Sequence, residues 1–80
     1  MNIDIERADE FALAFLFLNS FRDGPVTRAW KDIPWEMMDH LHERGLISDP
    51  KKRGTRSVVM TEDGLRMAEE MFNVHLAPAE

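Results

Sequence analysis

The chain contains no cysteine. Disulfides, thiolate nucleophiles and Cys-ligated zinc are therefore excluded. It also lacks a long hydrophobic run. The longest wholly apolar stretch covers residues 11–18, far short of the roughly 20 residues that span a bilayer as a helix. Positive charge is scarce: ten Lys and Arg stand against fifteen Asp and Glu, for a formal net charge of −5. An acidic chain is repelled by nucleic-acid phosphate overall, which leaves only a local contact open. The four glycines are scattered at turns and form no phosphate-cradling loop. There are no internal repeats and no low-complexity stretch. The first residues are acidic, whereas a secretory leader opens basic. The expectation is a cytoplasmic protein with no membrane span.

Eighty residues make one domain, spanning 1–80. A domain of that size buries only about 60% of its unfolded surface, which disfavours a deep substrate cleft. A hydrophobic content of 44% with two Trp argues against disorder. With no covalent staple, stability must come from the core or from a partner subunit. Charge is unevenly spread. Residues 1–21 carry one Arg and four acids, residues 22–57 eight Lys or Arg and six acids, and residues 58–80 one Arg and five acids. The middle is mildly basic between acidic ends.

Periodicity predicts a first helix over residues 4–21, with Asp4 as cap and Glu6 in the first turn. Ala8, Phe11, Ala12, Phe15 and Leu18 form one apolar stripe at helical spacing. Leu13, Leu16 and Phe17 lie outside it, so residues 11–18 are apolar on every side. Such a helix is buried all round. It is either the central core helix or has one face inward and the other on a second subunit. Arg22 to Pro25 reads as a turn, and residues 25–31 as a short second helix started by Pro25. Pro34 opens a third helix running to Arg44, with Trp35, Met38 and Leu41 inward and Gly45 as its C-terminal cap. Leu46, Ile47 and Ser48 on one side, and Ser57 to Met60 on the other, form a two-stranded hairpin around a polar loop. Thr61 caps the last helix. Gly64 in its first turn marks close backbone approach, helix against hairpin. The tail from Leu76 reads as frayed.

The segment Arg28, Ala29, Trp30 and Lys31, then Trp35, then LHERGLISDP over residues 41–50, Ser57 to Val59, and Thr61 to Leu65 resembles a bacterial family of short uncharacterised proteins classed as a domain of unknown function. That resemblance covers about residues 28–72 and implies no activity. The later part is more broadly similar to winged-helix transcription regulators of the multiple-antibiotic-resistance and phenolic-acid-repressor types. It implies a small α+β winged-helix-like domain with three to four helices and a two-stranded wing. In such regulators the helix before the wing reads the major groove and basic wing residues touch phosphate. Here that maps onto residues 35–44 and onto Lys51, Lys52, Arg53 and Arg56. The segment preceding that helix is short, so the helix-turn-helix is abbreviated.

Candidate sites divide as follows. Lys51, Lys52, Arg53 and Arg56 would contact backbone phosphates or a partner; the plainer alternative is a solvated turn, and basic turns are common. The third helix should present Glu36, Met37, Asp39, His40, Glu43 and Arg44, a face with three acids and one Arg. Groove readers rely on Arg, Lys, Asn and Gln, so this face opposes DNA reading. Glu36 and His40 are an i, i+4 pair able to give two metal ligands, but no third ligand is visible. His40 and His42 point apart, and His75 stands alone near the end of the chain. Ser20, Ser48 and Ser57 lack a nucleophile setting. Trp30 and Trp35 would offer a stacking surface, although large aromatics more commonly bury themselves against a core. The sequence therefore predicts no enzyme, no cofactor and no metal. It predicts a non-catalytic protein-interaction or regulatory module that self-associates as a homodimer through Leu13, Leu16, Phe17, Met67 and Met71. A DNA-binding winged-helix regulator is the alternative, and a small acidic inhibitor protein the third reading.

Overall fold

A computed structural model describes residues 2–78. Three helices and a three-stranded antiparallel sheet follow one another as α1 (Ile5–Leu18), β1 (Ser20–Asp23), β2 (Val26–Trp30), α2 (Trp35–Glu43), β3 (Ser57–Val59) and α3 (Glu62–His75). The α+β class expected from the sequence is what the chain forms.

Asp4 caps α1, its carboxylate accepting from the Arg7 N–H at 3.2 Å. The buried face of α1 is Asp9, Ala12, Leu13 and Leu16. Phe11, Phe15 and Leu18 are 40%, 45% and 57% exposed. Phe11, Phe15 and Leu18 of the expected inward stripe therefore face outward, while Ala12 of the same stripe is buried. Both faces repeat at i, i+4, i+7, so periodicity alone cannot choose between them. The chain buries the one that carries a carboxylate, because that carboxylate finds partners on α2.

Residues 25–31 do not form the expected second helix. They form β2. Gly24, at φ +60°, and Pro25 make a two-residue turn between Asp23 and Val26, which pair directly. Gly first and Pro second suit a hairpin turn in which only the first position needs positive φ. β2 then alternates, with Thr27 and Ala29 inward and Val26, Arg28 and Trp30 outward. β-Branched residues at its start favour the pleat over the helix. Without that second helix the described residues form no helix-turn-helix. The expected wing also differs. β3 pairs with β2 as the third strand of the sheet, and the 46–48 arm meets it through the bridge Ile47–Met60, with the Ser48 N–H donating to the Val59 carbonyl at 2.9 Å.

Met38 and Leu41 of α2 are fully buried, as expected, and Gly45 at φ +75° ends the helix. Trp35 is not an anchor. It is 47% exposed, and Trp30 is 46% exposed, stacked on Phe21 of the neighbouring strand at 4.8 Å between ring centroids. Both lie outside the core because each sits at a position that faces away from it: Trp30 on the outer side of the sheet, Trp35 at the first residue of its helix. The core joins Leu13 and Leu16 to Ala29, Met38, Leu41, Leu46, Ile47, Val58, Met60 and Ala68. Thr61 caps α3 by accepting from the Gly64 N–H at 3.0 Å and donates its own hydroxyl to the Gly45 carbonyl at 2.8 Å. Gly64 lies against the backbone of Leu46, as its position implied. The expected frayed tail is described to residue 78, and the N–H groups of Leu76 and Ala77 still bond the Phe72 carbonyl; residues 79 and 80 lie outside the described residues. No helix among the described residues is long and apolar enough to cross a membrane.

Candidate functional site

Asp9 is the unusual residue of the core: an aspartate with 0% exposure in the middle of α1. An isolated buried carboxylate is strongly disfavoured unless it is paired and hydrogen-bonded. Its pairing comes from α2. Arg44 Nη1 donates to Asp9 Oδ2 at 2.9 Å. His40 Nδ1 lies 2.6 Å from the same oxygen, close enough for an ion contact but off the line of a hydrogen bond. His40 and Arg44 are four residues apart on the helix and so share one face. The other oxygen, Asp9 Oδ1, is buried with no partner.

A cavity of about 440 Å³ opens beside this cluster. Asp9, His40 and Arg44 form its polar wall, Leu13, Met67 and Met71 its apolar wall, and Ile5, Glu6 and Glu10 complete it. Glu10 is tied in turn to His75, whose Nε2 lies 2.9 Å from Glu10 Oε1, while the imidazole packs on Phe11 at 4.4 Å between centroids. His75 is thus held against α1 rather than standing alone. His42 turns elsewhere, its Nδ1 2.9 Å from the Ile47 carbonyl oxygen. Glu36 and His40, the i, i+4 pair that lacked a third ligand in the sequence, gain none here: among the described residues no three His, Asp or Glu come together to hold a metal.

Lys51, Lys52, Arg53 and Arg56 share one exposed loop. Lys51 Nζ approaches Asp39 of α2 at 3.7 Å, a surface pair of small worth. The loop is braced by Lys31, whose ammonium donates to the carbonyls of Lys52 and Thr55 at 3.3 and 3.0 Å. A second cleft, beside this brace, is bordered by Trp30, Asp32 and Arg56.

The residues expected to mediate self-association are placed differently. Leu13 and Leu16 are buried within the chain, and Phe17, Met67 and Met71 are half-buried against the same core. They hold α3 onto α1, and Phe17 meets Phe72 at 5.2 Å between centroids. On the outer face of α1, Phe11, Phe15 and Leu18 are left exposed. Asp9 and its partners were missed by sequence reasoning. The one signal available was a carboxylate at i−4 and i−7 from two leucines, which reads as a flaw in an apolar face.

Most of the chain has counterparts. An uncharacterized protein, y4hR, of Sinorhizobium fredii (strain NBRC 101917 / NGR234) is 43% identical over 72 residues, covering 90% of this chain and 92% of that protein. No solved structure matches the chain. Residues 4–77, which include α1 with Asp9, the sheet, α2 with His40 and its cap Arg44, and all of α3, match one family, and the chain belongs to that family, described as a domain of unknown function (DUF6429).

Proposed function

We propose that the chain is a non-catalytic protein-interaction module that works as a homodimer, with the outer face of α1 as the contact. The observation that carries this reading is the row Phe11, Phe15 and Leu18, all 40% exposed or more on one side of a helix whose other side is core. Large apolar side chains in a contiguous exposed row mark an interaction surface. The row repeats at i, i+4, i+7 and carries no charge. It therefore calls for a partner helix with an uncharged row of the same length, which a second copy of α1 supplies through a two-fold axis.

The DNA-binding alternative is weakened by the same geometry. Arg44, the one Arg of the α2 segment, is committed to Asp9. The exposed side of α2 is left with Glu36 and Glu43, and Asp39 beside them. The basic loop favours at most a weak phosphate contact.

Sedimentation equilibrium tests the dimer. The wild type should run as a dimer at tens of micromolar, and Phe15→Glu as a folded monomer with an unchanged far-UV spectrum. A wild type that stays monomeric up to millimolar concentration overturns the proposal.

A further inference from the structure

The cavity over Asp9 lies on the inward side of α1, away from the Phe11, Phe15 and Leu18 row, and asks for a ligand of its own. We infer that it binds an organic cation: a primary ammonium or guanidinium group on a short aliphatic stem. The site holds three carboxylates, Glu6, Asp9 and Glu10, against one fixed cation, Arg44. Arg44 is already spent on Asp9 Oδ2 at 2.9 Å. His40 lies against that same oxygen, and His75 against Glu10. With the imidazoles counted as neutral, the three carboxylates outnumber the one Arg, a balance that disfavours phosphate, sulfate and carboxylate ligands.

Asp9 Oδ1 narrows the chemistry further. It is a buried acceptor with no donor, in a residue that forms part of the cavity wall. A buried acceptor left unmet costs about 1–3 kcal/mol. The group that satisfies it must donate, and an ammonium or guanidinium donates without bringing an acceptor that would meet the carboxylates. A hydrogen bond between two charged groups is also about twice as strong as a neutral one.

The apolar part of the lining fits the stem. Leu13, Met67 and Met71 present apolar surface, and Met side chains adapt to an unbranched chain better than branched ones do. A volume of about 440 Å³ is in the range of small-ligand pockets and holds a four-carbon amine easily. A bare metal ion fits poorly, since no three ligating side chains converge among the described residues. The same cationic group arises either on a free aliphatic amine or on a Lys or Arg side chain of a partner protein.

Calorimetric and amide-NMR titrations at physiological salt test this with n-butylammonium, butylguanidinium and doubly blocked lysine as probes. Butanol and butyrate serve as uncharged and anionic controls. Saturable binding of the cations is expected, with shifts centred on Asp9, Leu13 and Met71, and none from the controls. Blocked lysine binding as well as the free amine assigns the site to a partner's side chain; its failure where the amine binds assigns it to a free amine. Asp9→Asn should weaken binding roughly tenfold or more. Should that variant not fold, Glu6→Gln combined with Glu10→Gln, both at the rim, should weaken it several-fold. No saturable binding of any cation, equal binding of butanol, or binding unmoved by both sets of substitutions overturns the inference. None of these outcomes bears on the α1 dimer, which is read by sedimentation.

Discussion

Asp9 and Arg44 stand thirty-five residues apart in sequence and 2.9 Å apart in space. Together they lock the middle of α1 to the end of α2. The aspartate is fully buried while the Arg44 side chain is 37% exposed. The two members of the pair are therefore not equivalent, because the Arg44 side chain already meets solvent and that of Asp9 does not.

That asymmetry gives the first prediction. Arg44→Ala leaves a buried carboxylate with only His40 beside it and should destabilise by about 1–3 kcal/mol, a value kept below that of a fully buried pair by the exposure of Arg44. Adding Asp9→Leu to Arg44→Met removes both charges and fills the site with apolar volume. That double variant should recover most of the loss or exceed the wild type. Urea denaturation reads both. A double variant less stable than Arg44→Ala would mean that the carboxylate itself, and not its pairing, supports the fold.

The same pair shows why part of the fold was legible in the sequence and part was not. The N-terminal caps of α1 and α3 and the end of α2 at Gly45 are local: each depends on residues within one turn, and each formed where expected. The first helix itself ends at Leu18 rather than at residue 21, because residues 20–23 pair with β2 as β1. The orientation of α1 is not local. Phe11, Phe15 and Leu18 repeat with the same spacing as Asp9, Leu13 and Leu16, and the purely apolar row is the natural choice for the core. Only the arrival of His40 and Arg44 reverses it. β2 went unread for a related reason. Pro25 suits a helix start as well as the second place of a hairpin turn, and pairing on both sides, with β1 and β3, decides it. The basic loop was legible as a cluster because it is contiguous. The cavity was not, because its wall is drawn from three helices.

Leu41 and Trp35 were expected to anchor α2 together, and the structure separates them. Leu41 is 0% exposed and Trp35 47%. Leu41→Ala should cost about 2–5 kcal/mol, enough to unfold much of a domain whose total stability is typically about 5–15 kcal/mol. Trp35→Ala should stay within about 1 kcal/mol of the wild type. Chemical denaturation of the two variants side by side checks this. Equal losses would place Trp35 in the core after all.

Gly64 provides a prediction of opposite sign to its local preference. Alanine in a helix is intrinsically better than glycine by about 1 kcal/mol. Here an added Cβ would fall within bond-length range of the Leu46 carbonyl oxygen, with the contact to backbone atoms on that side. Neither atom belongs to a flexible side chain, so α3 would have to move off the 46–48 arm. Gly64→Ala should therefore lower the thermal midpoint, by about 4–8 °C for each kcal/mol lost in a domain of this size. A raised midpoint would show that the helix and the arm are not in close contact.

The loop of Lys51, Lys52, Arg53 and Arg56 separates protein binding from DNA binding. All four are exposed, and Lys51 is partly engaged by Asp39 at 3.7 Å. At most four phosphate contacts form there, so any duplex affinity should fall with about the 3.6 power of salt concentration and fade near physiological ionic strength. The neighbouring helix cannot add to it. Its Arg44 is held by Asp9, and Glu36, Asp39 and Glu43 repel the phosphates that flank a groove. Replacing the four loop residues with alanine should leave the far-UV spectrum and the oligomeric state unchanged and abolish only the weak, salt-sensitive binding. Fluorescence anisotropy with a labelled duplex measures this. Tight binding at physiological salt that is lost in the variant and sensitive to single base-pair changes would overturn the interaction-module reading, because it would require α2 to enter the groove with its acidic side turned away.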